Sequence, residues 1–174
     1  MTDDEIIAKA ARQALLNDTL GGCSQAVLGA LQQALTIGGR DSFRAATVLA
    51  GGVARRGETC GALIGALMAL GIERGRDAMT DAAGYSRAVA ESLPVVEGFM
   101  AGVQSRFGLE RPLDNTLCRH IQERIFGRSF DLSDDVERQA FLESGGHDED
   151  KCPLVCAVAA ATAAEAILSL RRAC

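Results

Sequence analysis

Apolar residues in this chain recur every third or fourth position, in stretches separated by glycines and acidic cap residues, and nowhere alternate over the length of a strand. That spacing puts apolar side chains on one face of a helix, whereas a half-buried strand needs a period of two. The chain is therefore expected to be all-α, a compact bundle of six to eight helices. Ala, Leu and Val supply most of the apolar surface, with one Tyr and no Trp. Ala and Leu favour helix, and small side chains let helices pack closely. No tandem repeat is evident, and 174 residues suit one domain, 1–174.

The punctuation marks the elements. Asp3 to Leu16 reads as a helix stopped at Gly21-Gly22. Cys23 to Ile37 reads as the next, ended by Gly38-Gly39. Asp41-Ser42 offers a cap for Phe43 to Arg55. After Gly57, Thr59 to Glu73 is apolar enough to be buried all round. Asp77 can cap a long stretch to Arg106 that Pro94 should kink or break. Leu117 to Phe126 is short, Ser133 can cap a piece to Glu143, and Lys151 to Arg172 is the last helix.

The formal charge is −5 with no basic stripe, which argues against nucleic acid as a partner. Asp131 to Asp150 carries eight acids against Arg138. It reads as a solvated connection, with docking of a basic redox partner protein as the alternative. The acidic start has no signal-peptide pattern. Gly61 to Ile72 is shorter than the roughly 20 residues a bilayer span needs, so no membrane insertion is expected. These features suggest a cytoplasmic protein, where structural disulfides are disfavoured and six cysteines need another reason, metal or catalysis.

The cysteines are Cys23, Cys60, Cys118, Cys152, Cys156 and Cys174. None forms a Cys-x-x-Cys pair, so zinc-ribbon, thioredoxin-type and c-type haem motifs are absent. Cys23, Cys60, Cys118 and Cys152 each fall in the first turn of an expected helix, the last beside Pro153. Free N–H groups and a partial positive charge at those ends favour thiolate and should lower the thiol pKa. Four thiolates around one core would suit an iron–sulfur cluster, and N–H groups could tune it. The competing reading is four buried small hydrophobes. Cys156, one turn after Cys152 on the same face, lines the site, replaces Cys152 as a metal ligand, or belongs to the core. Cys174 is a weak ligand candidate.

The segment Gly57-Glu58-Thr59-Cys60-Gly61-Ala62-Leu63-Ile64-Gly65, with Gly22-Cys23-Ser24-Gln25-Ala26-Val27, Leu117-Cys118-Arg119 and Lys151-Cys152-Pro153, resembles the C_GCAxxG_C_C family, whose members are described as redox-active. The resemblance spans roughly residues 5 to 170. A related module in split-Soret cytochrome c accompanies an iron–sulfur site. The resemblance thus implies Cys23, Cys60, Cys118 and Cys152 as ligands, with 2Fe–2S favoured over 4Fe–4S. It implies a redox role, electron transfer or redox sensing, and no specific reaction.

Gly61 would let backbone approach a cluster without a Cβ in the way. Gly65 shares its face and suits helix packing. Arg119, next to Cys118, is a candidate cofactor-binding cation, with a surface salt bridge as the alternative. His120 could join a mixed Cys/His set, and His147 could bind metal or lie in an exposed loop. No phosphate-binding loop or Ser-His-Asp pattern is present. An electron carrier or redox accessory is therefore favoured over an enzyme with its own substrate. The alternatives are a structural four-cysteine zinc site and a thiol–disulfide oxidoreductase. A homodimer is compatible with the sequence.

Overall fold

The computed structural model describes residues 1–173, so Cys174 lies outside the described residues. Among the described residues eight α-helices follow in order: α1 (Asp3–Asp18), α2 (Cys23–Leu35), α3 (Arg40–Ala45), α4 (Gly61–Arg74), α5 (Ala82–Arg106), α6 (Cys118–Phe126), α7 (Asp135–Glu143) and α8 (Cys152–Arg172). The all-α expectation holds.

Helices α2 and α8 pack on each other and both receive α1 and α4, while α5 lies against α4 and α8. The core is built from small and branched side chains, among them Ala10, Ala14, Leu28, Leu31, Leu63, Ala159, Ala163 and Ile167, with Phe99 filling the gap left to α5. Each large side chain fully buried there contributes about 1.5–3 kcal/mol. A Cβ at Gly65 would overlap the carbonyl oxygen of Ser24, so α2 and α4 approach as closely as they do only because residue 65 is glycine. Helix α8 has the length and apolar character of a membrane span. Its apolar faces are instead buried against the other core helices.

Several boundaries differ from the sequence reading. The capping box of Thr2 and Glu5 opens α1. Asp81, not Asp77, caps α5, and Asp134, not Ser133, caps α7. Helix α5 continues through Pro94 without a break. Pro94 is on the exposed side, where water can satisfy the carbonyl its missing N–H would have used.

The largest departure is the stretch expected as a helix from Phe43 to Arg55. Helix α3 ends at Ala45, a 3-10 turn covers Ala46–Leu49, and residues 51–55 then wind left-handed. Val53, Ala54 and Arg55 have φ of 58°, 51° and 63°, a conformation that costs roughly 1–2 kcal/mol for each residue with a Cβ. Hydrogen bonds from the end of the same loop offset that cost. The N–H groups of Gly57 and Glu58 donate to the carbonyls of Gly51 and Gly52, at 3.0 and 2.9 Å.

Candidate functional site

Each cysteine is placed by a helix start and by what precedes it. Gly22, in a left-handed conformation, turns the chain so that Cys23 opens α2. Cys60 caps α4, and Cys118 is the first residue of α6. The segments before them run antiparallel: Thr59 bridges Leu117, the Cys60 N–H donates to Thr116 at 2.8 Å, and the Cys118 N–H donates to Glu58 at 2.6 Å. That short ladder sets Cys60 and Cys118 side by side. Cys152 opens α8 with Pro153 behind it, and packs on a cluster of Phe126, Phe130 and Phe141 whose rings meet edge-on.

All four, together with Cys156, line one cavity of about 780 Å³. The five are free thiols, two buried and three half-buried. Cys156 lies in the core, its thiol donating weakly to the Cys23 carbonyl at 3.9 Å. Among the described residues no three His, Cys, Asp or Glu side chains stand close enough to share one metal ion.

Gly61 also borders this site. A Cβ there would stand 2.5 Å from the Cys23 Sγ and 3.0 Å from the Leu49 carbonyl, so its missing side chain makes room for a thiol of the protein itself. Arg119 is not among the lining residues. Its guanidinium pairs with Glu58 at 3.0 Å and reaches the Gly57 carbonyl, on a half-exposed surface. His120 is held by Asn115 and does not line the cavity either.

The expected lowering of the thiol pKa values is reversed. Burial pushes the Cys60 thiol up to about 11 against the N–H groups of Ala62 and Leu63, which favour its thiolate. Burial raises Cys23 further, with Cys60 adding like-charge repulsion, although the Gly51 and Ser24 N–H groups oppose it. Cys118, Cys152 and Cys156 are raised well above the ordinary thiol value, again by burial first and by neighbouring acids and thiols second. Helix N-termini are present at four of these thiols, but loss of water outweighs them.

Three features of the site escaped the sequence reading. Gln122 is buried; its Nε2 donates to Cys118 Sγ at 3.8 Å and its Oε1 accepts from the Phe130 N–H at 2.9 Å, tying the thiol to the loop after α6. The left-handed turn supplies Gly51, Ala54 and Arg55 to the wall. Asp18, fully buried, also lines the cavity beside His147. The last was legible in principle, since Ala10, Ala14 and Asp18 are spaced by four and share the buried face of α1.

A family model described as "Putative redox-active protein (C_GCAxxG_C_C)" matches residues 22–166. The chain belongs to this family. No curated protein and no solved structure matches it significantly. As a C_GCAxxG_C_C protein it has a redox role, and the match takes in the four helix-start cysteines, the glycines of the Cys60 segment and the cavity wall from Gly22 onward.

Proposed function

We propose that this C_GCAxxG_C_C protein carries an iron–sulfur centre held by Cys23, Cys60, Cys118 and Cys152, used for electron transfer or redox sensing. The observation that carries the proposal is that four thiols from four separate helix starts line a single cavity. Their chemistry fits: a cluster of either the 2Fe–2S or 4Fe–4S type takes four thiolates, and the 2Fe–2S form remains the preferred one.

When bound, such a centre supplies one-electron chemistry. The chain's own contribution is to hold the thiols at fixed helix starts and shield them in part from water. It also aims the Gly51 and Ser24 N–H groups at Cys23, and those of Ala62 and Leu63 at Cys60. The raised thiol pKa values count against a thiol–disulfide oxidoreductase, which needs an accessible thiolate as nucleophile. They do not count against a metal centre, since coordination removes the proton outright.

A substitution series tests the ligand set. Cys23→Ala, Cys60→Ala, Cys118→Ala and Cys152→Ala should each lose most of the bound iron while keeping their helical circular dichroism. Iron retained at the wild-type level in any of these four would remove that cysteine from the set.

A further inference from the structure

The cysteine cavity is larger than the centre proposed for it. Its volume of about 780 Å³ falls among small-molecule pockets, roughly 300–1,000 Å³, whereas an iron–sulfur core is a handful of atoms. Beyond the thiols the wall is mainly apolar, with Leu20, Val48, Leu132 and Leu142 in it. Leu20, Val48 and Leu142 are exposed, so the cavity opens to solvent there.

Charge in the wall is one-sided. The chain is acidic overall, at −5, yet none of the eight acids between Asp131 and Asp150 lines the cavity. The charged lining residues are Asp18, Arg55, Arg138 and His147. Asp18 is answered within the wall by His147 at 3.5 Å. Arg138 pairs on the outside with Asp135 at 2.7 Å. Arg55 is left over: its guanidinium has no ion pair or hydrogen bond among the described residues. Its backbone is fixed, with φ 63° in the left-handed turn and its N–H donating to the Ala50 carbonyl at 3.1 Å. A strained conformation held this firmly is a mark of a functional position.

We propose that the cavity binds a small organic carboxylate, its anionic group on Arg55 and its apolar body along the leucine-rich wall, beside the thiol centre. A planar guanidinium matches a carboxylate with two parallel hydrogen bonds. Phosphate is usually cradled by a run of backbone N–H groups in a glycine-rich loop, and no such loop is present in the sequence. The proposal rests on the four-cysteine reading for what the ligand lies beside, while the binding itself requires no iron.

Naphthalene-2-carboxylate is the probe, in equilibrium dialysis against the full chain loaded anaerobically with iron and sulfide. Wild type should bind it saturably. Arg55→Gln keeps a Cβ at the same φ on an exposed residue, and should weaken binding about tenfold with iron and sulfide unchanged. The neutral alcohol naphthalene-2-methanol should bind wild type as weakly as the carboxylate binds the variant. Inorganic phosphate at the same concentration should not displace the carboxylate. Equal binding by wild type and Arg55→Gln would overturn the site, as would equal binding of the alcohol and the carboxylate, or displacement by phosphate. A chain that takes up no iron but binds the carboxylate through Arg55 would sink the four-cysteine reading and uphold the pocket.

Discussion

One helical turn of α1 separates Ala14 from Asp18, and the two residues face the same way into the molecule. Around Ala14 the neighbours are the apolar residues of α2 and α8. Around Asp18 the wall holds five thiols, a histidine whose Nδ1 stands 3.5 Å from the Asp18 carboxylate, and Ala54 and Arg55 of a left-handed turn. The first region follows every local preference of its sequence. The second departs from them in backbone conformation, in buried charge and in thiol ionisation at once. Such departures gather where a protein binds or reacts, and a well-packed neighbour is what makes them tolerable. The bundle holds the shape, and the cavity end uses it.

The two glycines of the Cys60 segment test this division most strongly. Gly65→Ala pushes a methyl group into the α2 backbone, which cannot move aside without separating two core helices. It should cost about 3 kcal/mol, the upper end for overpacking, seen as a lower urea midpoint with an unchanged slope. Gly61→Ala meets the Cys23 sulfur instead. It should cost less, about 1–2 kcal/mol, and should depress bound iron far more than Gly65→Ala does in the protein that remains folded. Equal effects on iron would erase the distinction between the two regions.

Relieving strain should act in the opposite direction. Val53 is branched at Cβ, sits at φ 58° and is partly exposed, so little packing is lost on truncation. Val53→Gly should raise stability by about 1 kcal/mol, the left-handed cost less the greater freedom of glycine in the unfolded chain. Thermal unfolding of the metal-free protein measures it. A loss of stability would mean the turn is not strained.

The smallest effect belongs to the bundle's surface. Arg171 grips Glu73 with two hydrogen bonds, 2.8 and 3.0 Å, and holds its carboxyl below the ordinary value of 4.5. A carboxyl whose folded pKa is depressed stabilises above the unfolded pKa, and that contribution fades as pH falls through the folded one. Glu73→Gln should therefore cost about 0.5 kcal/mol at pH 7, the scale of an exposed pair, and nothing measurable once the medium is acid enough to protonate Glu73. Urea titrations at both pH values check the sign.

The scaffold was legible because its signals are local. Gly22 before Cys23 and Pro153 after Cys152 each mark a helix boundary within a residue or two. The four helix-start cysteines could be read for the same reason. What could not be read depends on contacts beyond the helical period. The Phe43 to Arg55 stretch has a helical apolar pattern, and only the hydrogen bonds from Gly57 and Glu58 reveal why it winds left-handed. The thiol pKa values follow from burial, which helix ends alone do not report. Arg119 illustrates the converse: adjacency to Cys118 in sequence suggested a site cation, whereas the first turn of α6 aims it at Glu58.

Iron and acid-labile sulfide, measured per chain on protein expressed with ample iron and purified without oxygen, test the central claim most directly. The account predicts a coloured protein containing both, in the ratio of one cluster per cavity. A colourless preparation holding zinc and neither iron nor sulfide would contradict it.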